Sequence, residues 1–375
     1  MNKKNKFLLF FFTILLFFNI LLFLTNIWIF DNFGNVKIQE ILFTLLSPTS
    51  GTDSSVVYSY ILRVLLIAVS FTVLSCFIVL YTRKKSKHFK YIKNISAIFV
   101  VVSLFLSCLY TNSRYDIYGY ISQKSQTTSI YNKSKKTKKK VKKEEYQGDS
   151  TIVYQNPKEI NISGSDTNNL IYIYLESIEN TFLDTENGGI KNVNCLPELT
   201  ELAKQNTNFS NTDQLGGAIP FTGTTWTIAS MTSQFTGLPL KVEVANDMDQ
   251  QNRFMPGAKT IGDILDENGY IQELMIGSQK EFAGTDKLFL QHGFDKICDI
   301  NSLKQEYSFK SNELNQWGLD DYKLFELAKN EITQLAQTGK FNFTMATIDC
   351  HMPKGFLCKY CPNTYENRYE NIYAC

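Results

Sequence analysis

The sequence predicts a membrane-anchored α/β protein, with N-terminal transmembrane helices followed by an α/β domain built on a largely parallel sheet. Two observations carry this. Long apolar runs occupy the first third of the chain, and strand-like runs then alternate with amphipathic helical ones. Phe7 to Phe30 is almost unbroken Phe, Leu and Ile, longer than the ~20 residues a spanning helix needs. It has no short apolar core followed by a small-residue cleavage site, so it reads as a retained anchor rather than a signal peptide. Val56 to Tyr81 and Ile95 to Tyr110 follow, the former carrying Arg63 near one end, where it can snorkel.

Charge sets the orientation. Lys3, Lys4 and Lys6 precede the first run, and Arg83, Lys84, Lys85, Lys87, Lys90 and Lys93 separate the second from the third. Asp31 to Ser55 is poor in Lys and Arg, so the basic flanks are expected on the cytoplasmic side and everything beyond Tyr110 outside. The expected layout is a membrane domain over 1–110, a tether over 111–150 and an extracytoplasmic domain over 151–375. The tether contains "KSKKTKKKVKK" from Lys133 to Lys143, with eight lysines. It reads as a solvated linker able to touch anionic lipid heads at ~1 kcal/mol per lysine. Its outward side argues against nucleic acid as a partner.

The outward segment supplies the α/β pattern. Strands are expected within Asn169 to Ser177, Tyr270 to Ser278 and Phe341 to His351. Helices are expected at Thr260 to Asn268, closed by Gly269, and from about Asp320 to Ala336. In parallel sheets ligands gather beyond the carboxyl ends of the strands, and Glu176, Asp349 and His351 all fall there. His292 reads as a packing or surface residue, and His88 lies in the basic loop. Of the outward cysteines (Cys195, Cys298, Cys350, Cys358, Cys361, Cys375), Cys358 and Cys361 form "CKYC". Without a second such pair, this favours a disulfide or free thiols over a zinc knuckle.

"GGAIPFTGTTWTIASMTSQFTGLPL", Gly216 to Leu240, holds six threonines and two serines. A helix beginning near Thr224 would aim free N–H groups and the positive end of its dipole at an anion such as phosphate. A hydroxyl in its first turn, activated by a metal on Glu176, would be a usable nucleophile. Capping by Thr224 or Thr225 is the commoner role of such residues.

From Asn169 onward the chain resembles the phosphoglycerol transferases of the alkaline phosphatase superfamily. That group includes lipoteichoic acid synthase and, as the nearer match, the membrane enzyme of periplasmic glucans. The resemblance rests on "YLESIENTF" from Tyr174, "GTTWTIASMTSQFTGLPL" from Gly223, "TIGDILDENGY" from Thr260, "FAGTDKLFLQHGFDKI" from Phe282 and "TIDCHMPKGFLC" from Thr347. It implies a sulfatase-like fold and Glu176 as a metal ligand. It also implies a threonine that is both ligand and nucleophile (Thr224, with Thr225 as alternative) and His351 at the phosphoryl headgroup. The implied cofactor is a divalent metal, manganese before magnesium or zinc. The implied partners are a phosphatidylglycerol-type lipid donor in the membrane and a glycan or teichoic-acid-like acceptor. The family's Gly-Asp-His motif does not occur in these residues, so the expectation is the N-terminal part of such a transferase, with an incomplete metal site. An ester hydrolase of the same superfamily and a non-catalytic truncated membrane protein are the alternative expectations.

Overall fold

The computed structural model describes residues 3–46, 54–85, 89–121, 168–210, 212–240, 253–352 and 355–375. The lysine run and His88 lie outside them. The chain divides into two compact units, Met1–Ile41 with Asp53–Glu144, and Leu42–Thr52 with Glu145–Cys375.

In the first unit, α1 (Lys3–Phe33) packs against α4 (Leu66–Lys85) and α5 (Phe89–Tyr115); α2 (Ile38–Leu46) follows α1. Between α3 (Ser54–Tyr60) and α4 the helix makes one π-helical turn, Ile61–Leu65, which contains Arg63. Three helical stretches are long and apolar enough to cross a membrane: Phe10–Phe33, Ser54–Ile78 and Ala97–Tyr115. Phe10, Phe71, Phe77 and Phe99 expose more than half of their surface, as a lipid-facing wall would. The inner seam is polar. Ser107 donates to Asn19 Oδ1 (3.0 Å), Asn26 to Thr111 (2.9 Å) and Trp28 Nε1 to Ser59 (3.1 Å). Such bonds hold helices together where lipid removes the hydrophobic drive between them, at about 0.6 kcal/mol each.

The second unit is built on a four-stranded parallel sheet, order β1-β4-β2-β3. The strands are β1 (Leu170–Tyr174), β2 (Ile271–Ile276), β3 (Lys296–Cys298) and β4 (Phe341–Ala346). β3 is too short to declare itself in the sequence. The helices are α6 (Pro197–Gln205), α7 (Thr227–Thr236), α8 (Ile261–Glu267), α9 (Thr285–Leu290), α10 (Ile300–Glu306), α11 (Asp321–Leu335) and α12 (Arg368–Tyr373). Period-two alternation splits the core. Leu274 and Ile276 face Ile228, Met231, Phe235 and Phe289 from α7 and α9. Met275, Phe341, Phe343 and Met345 face Leu303, Leu324 and Leu327 from α10 and α11. Every residue of β4 is buried, as befits a central parallel strand covered on both faces.

Several polar residues inside the sheet are paired. Gln272 donates to the Gly262 and Gly293 carbonyls (2.8 and 2.7 Å) and accepts from Asn342 (2.9 Å). His292 is a packing residue, buried between Asp263 Oδ2 (3.0 Å) and the Phe254 carbonyl (2.9 Å). Asp349 caps a helix. Its Oδ2 accepts the Asp321 N–H at the start of α11 (3.1 Å), and its Oδ1 accepts from Asn315 (2.8 Å). Asp321 returns the contact, accepting the Ile348 and Asp349 N–H groups (2.7 and 2.9 Å).

Burial, then the repulsion of Asp349, pushes the Asp321 carboxyl up to about 8. Burial, helped by the Asp320 charge, pushes Asp349 up to about 7. Both folded values lie above the unfolded ones, so the stability they contribute is complete only below about pH 4 and is lost progressively as pH rises to about 7 to 8. Thermal unfolding of the protein in detergent, followed by near-ultraviolet dichroism, should give a higher midpoint at about pH 5.5 than at about pH 8.5. Asp321→Asn should flatten that dependence and cost about 1–3 kcal/mol for the backbone N–H left without its acceptor. A second prediction concerns Gly318, at φ 152°, where an added Cβ would lie 1.8 Å from the Gly277 carbonyl oxygen. Gly318→Ala should lower the unfolding midpoint by the equivalent of roughly 1–3 kcal/mol or more.

Candidate functional site

The site forms where β1 and β4 end side by side. Thr347, just past β4, donates its N–H to the Tyr174 carbonyl at the end of β1 (3.0 Å). Its hydroxyl accepts the Glu176 N–H (2.8 Å). Two bonds therefore fix the backbone that carries Glu176. The carboxylate is also held on both oxygens. Oε1 accepts from Ser177 (2.6 Å) and Oε2 accepts from Thr227 (2.9 Å). Ser177 sits at φ 55°, a left-handed conformation that a non-glycine residue keeps only when its surroundings impose it. Here its carbonyl accepts the Tyr373 hydroxyl of α12 (2.6 Å).

The hydroxyl that meets Glu176 lies three residues beyond Thr224. α7 begins at Thr227 rather than near Thr224, with Trp226 as an extended N-cap that offers no side-chain acceptor. Thr224 turns back on its own loop, its Oγ1 donating to the Phe221 carbonyl and accepting the Phe221 N–H, both at 2.9 Å. Thr225 is exposed on that turn. Gly223, at φ 87°, closes the loop by accepting the Leu240 N–H (2.9 Å). The buried stripe of α7, Ile228, Met231, Thr232 and Phe235, fixes which face of the helix packs, but not where the helix begins.

Glu176, Thr227, Thr347, Ser278, Trp317 and His351 line one cleft, with about 590 Å³ of open space. Of the three strand-end residues singled out in the sequence, Glu176 and His351 line it, whereas Asp349 caps α11. The His351 ring lies against the Trp317 indole (centroids 4.2 Å). Its Nδ1 is 2.6 Å from the Met352 carbonyl, which can only accept, so Nδ1 carries the proton. Trp317 is held by Asn315, whose Oδ1 accepts the Trp317 and Gly318 N–H groups (2.8 and 2.9 Å). The Trp317 Nε1–H is buried without a partner, a donor available to an anion entering the cleft. No feature of the sequence marked Trp317, because β2 and the turn before α11 bring it to the strand ends.

The donor set suits a hard cation. Glu176 Oε2 and Thr227 Oγ1 are a carboxylate and a hydroxyl oxygen, the ligand type that magnesium and manganese take. Two other acidic or sulfur clusters lie elsewhere. Glu273, Cys298 and Glu331 are bridged by Lys296, 3.4 and 2.5 Å from the two glutamates. Cys358, Cys361 and Cys375 gather near α12.

Phosphoglycerol transferase I of Escherichia coli is 33% identical over 195 residues, covering 52% of this chain and 24% of its own length. The enzyme of the same name in Shigella boydii matches equally. The chain thus spans about a quarter of these relatives. Among solved structures, an alkaline phosphatase superfamily protein from Vibrio parahaemolyticus aligns at 22% identity and TM-score 0.40, covering 55% of this chain and 47% of its own. The lipoteichoic acid synthase LtaP from Listeria monocytogenes aligns at 19% and 0.41, covering 55% and 49%. The sulfatase family model matches residues 168–374, more than half of the chain and the whole of the strand-end cleft, and the protein belongs to the sulfatase family.

Proposed function

We propose that this protein transfers phosphoglycerol from a phosphatidylglycerol-type lipid to an extracytoplasmic glycan or teichoic-acid-like acceptor, with Thr227 as the nucleophile. The observation that carries the reading is the 2.9 Å hydrogen bond from Thr227 to Glu176 at the start of α7. A threonine hydroxyl is a weak nucleophile until its proton is drawn off or its alkoxide stabilised. Glu176 accepts that proton's hydrogen bond, and the first-turn N–H groups and dipole of α7 favour negative charge on Oγ1. Thr227, at the head of α7, therefore replaces Thr224 as the proposed nucleophile.

The reaction is a double displacement. Thr227 Oγ1 attacks the lipid phosphorus, the bond from phosphorus to the diacylglycerol oxygen breaks, and diacylglycerol leaves with a proton. An acceptor hydroxyl then attacks the same phosphorus and frees Thr227. Trp317 Nε1–H would donate to a phosphoryl oxygen, and His351, held by Met352, would face the headgroup. A cation on Glu176 and Thr227, manganese or magnesium by their oxygen chemistry, would supply Lewis-acid stabilisation when bound. The apolar helices suit a lipid donor, and the 33% identity to phosphoglycerol transferases favours phosphoglycerol as the group moved.

Incubation with phosphatidylglycerol labelled in its headgroup should mark the peptide containing Thr227. Thr227→Ala should reduce labelling by at least about 10³-fold, while Thr224→Ala leaves it near wild type. Labelling that survives in Thr227→Ala and disappears in Thr224→Ala would overturn the assignment. Trp317→Phe keeps the ring and removes the N–H. It should weaken the use of lipid donor by roughly tenfold, the scale of about 1.5–3 kcal/mol for a hydrogen bond to a charged group, measured as the lipid concentration at half-maximal labelling.

A further inference from the structure

The three sulfurs near α12 do not belong to the cleft. Cys361 and Cys375 form a disulfide. Cys358 is a free thiol, 4% exposed, with its Sγ 3.8 Å from Cys375 Sγ. All three sulfurs lie within 4.8 Å of one another. The turn of the Cys358–Cys361 motif also aims a backbone donor at the buried sulfur. The Tyr360 N–H points at Cys358 Sγ (3.4 Å), while the Cys361 N–H closes the turn on the Cys358 carbonyl (3.2 Å). Backbone N–H groups aimed at a sulfur favour the thiolate, which is the form that attacks disulfides. Burial opposes this and holds the Cys358 thiol above its ordinary value, so the attack is expected to be slow near neutral pH.

We propose that Cys358, Cys361 and Cys375 form a thiol–disulfide exchange site in which the cross-link to Cys375 passes between Cys361 and Cys358. Cys358 loses its proton to solvent, and a side-chain rotation brings its thiolate into line with the Cys361–Cys375 bond, where it attacks Cys375 Sγ. The Cys358–Cys375 bond forms, the Cys361–Cys375 bond breaks, and Cys361 leaves as a thiolate that takes a proton from solvent. Sulfur oxidation is conserved, so no outside oxidant or reductant is needed. The exchange moves the free thiol from a buried position to half-exposed Cys361, where external thiols and disulfides can reach it. Cys375 stays cross-linked in both forms. The helix it secures, α12, therefore remains in place, with the Tyr373 hydroxyl on the Ser177 carbonyl and the Tyr373 ring stacked on Phe182 (3.5 Å).

The test is alkylation of the folded protein in detergent with N-ethylmaleimide, followed by non-reducing peptide mapping. Wild type should label progressively at Cys361 as a Cys358–Cys375 disulfide appears, the rate rising about tenfold per pH unit while Cys358 is mostly protonated. Cys358→Ser should lose labelling at Cys361, its disulfide being fixed. Cys361→Ser, isolated without reductant, should contain a Cys358–Cys375 disulfide. Label confined to Cys358 in wild type, with the Cys361–Cys375 disulfide unchanged, would overturn the proposal without recourse to any variant. So would free Cys358 and Cys375 thiols in Cys361→Ser, or one zinc per chain with all three cysteines unreactive until a chelator is added.

Discussion

The parallel pairing of β1 with β4 is the constraint on which the site depends. Because both strands run the same way, their carboxyl ends stop side by side, and each ladder register step from Leu170–Asn342 to Tyr174–Ala346 fixes the next. The pairing then continues past the strands through Thr347, which holds the Tyr174 carbonyl with its N–H and the Glu176 N–H with its hydroxyl. A side chain bonded to a loop is normally free to wander by its own rotamers. Glu176 is held at its backbone and at both carboxylate oxygens. Preorganisation of this kind is what lets an oxygen pair accept a cation or polarise a hydroxyl without a reorganisation cost at the moment of reaction.

α7 completes the arrangement from the opposite direction. Its buried stripe of Ile228, Met231 and Phe235 packs into the core with Leu274 and Phe289, which sets its rotation and brings Thr227 over the end of β1. The same packing explains why Thr224 is elsewhere. Gly223 and the Leu240 N–H tie the preceding loop to the far end of α7, so the chain reaches the helix only at Trp226. The number of hydroxyls in the segment is therefore less informative than the phase of the helix that follows them.

Two buried polar clusters near the sheet are structural and are paired. Asp321 and Asp349 exchange carboxylate–amide bonds across the junction of β4 and α11. His292 uses both ring nitrogens on Asp263 and a backbone carbonyl. Trp317 Nε1, by contrast, is buried at the cleft without an acceptor. Unsatisfied donors are expensive inside a protein unless a ligand meets them, which is why the Trp317 N–H enters the proposed function and the paired groups do not.

The sequence by itself determined the apolar spans, three of the four strands, the helices that begin near Thr260 and Asp320, and Glu176 and His351 as strand-end residues. These are local properties: hydropathy over a span's length, period-two and period-3.6 patterning, and a carboxylate following a β-branched run. Only the tertiary structure decided which of them meet. Asp349 has the same local signature as Glu176, yet lies against α11 because Asn315 and the Asp321 N–H receive it. Thr227, Thr224 and Thr225 are equivalent in chemistry, and the packing of α7 selects Thr227 for Glu176. Trp317 comes to the cleft from the turn before α11, 141 residues beyond Glu176 in number, and Cys375 joins Cys358 and Cys361 through the fold of α12. Contacts between residues distant in the chain depend on how whole faces pack, and no short window of sequence carries that information.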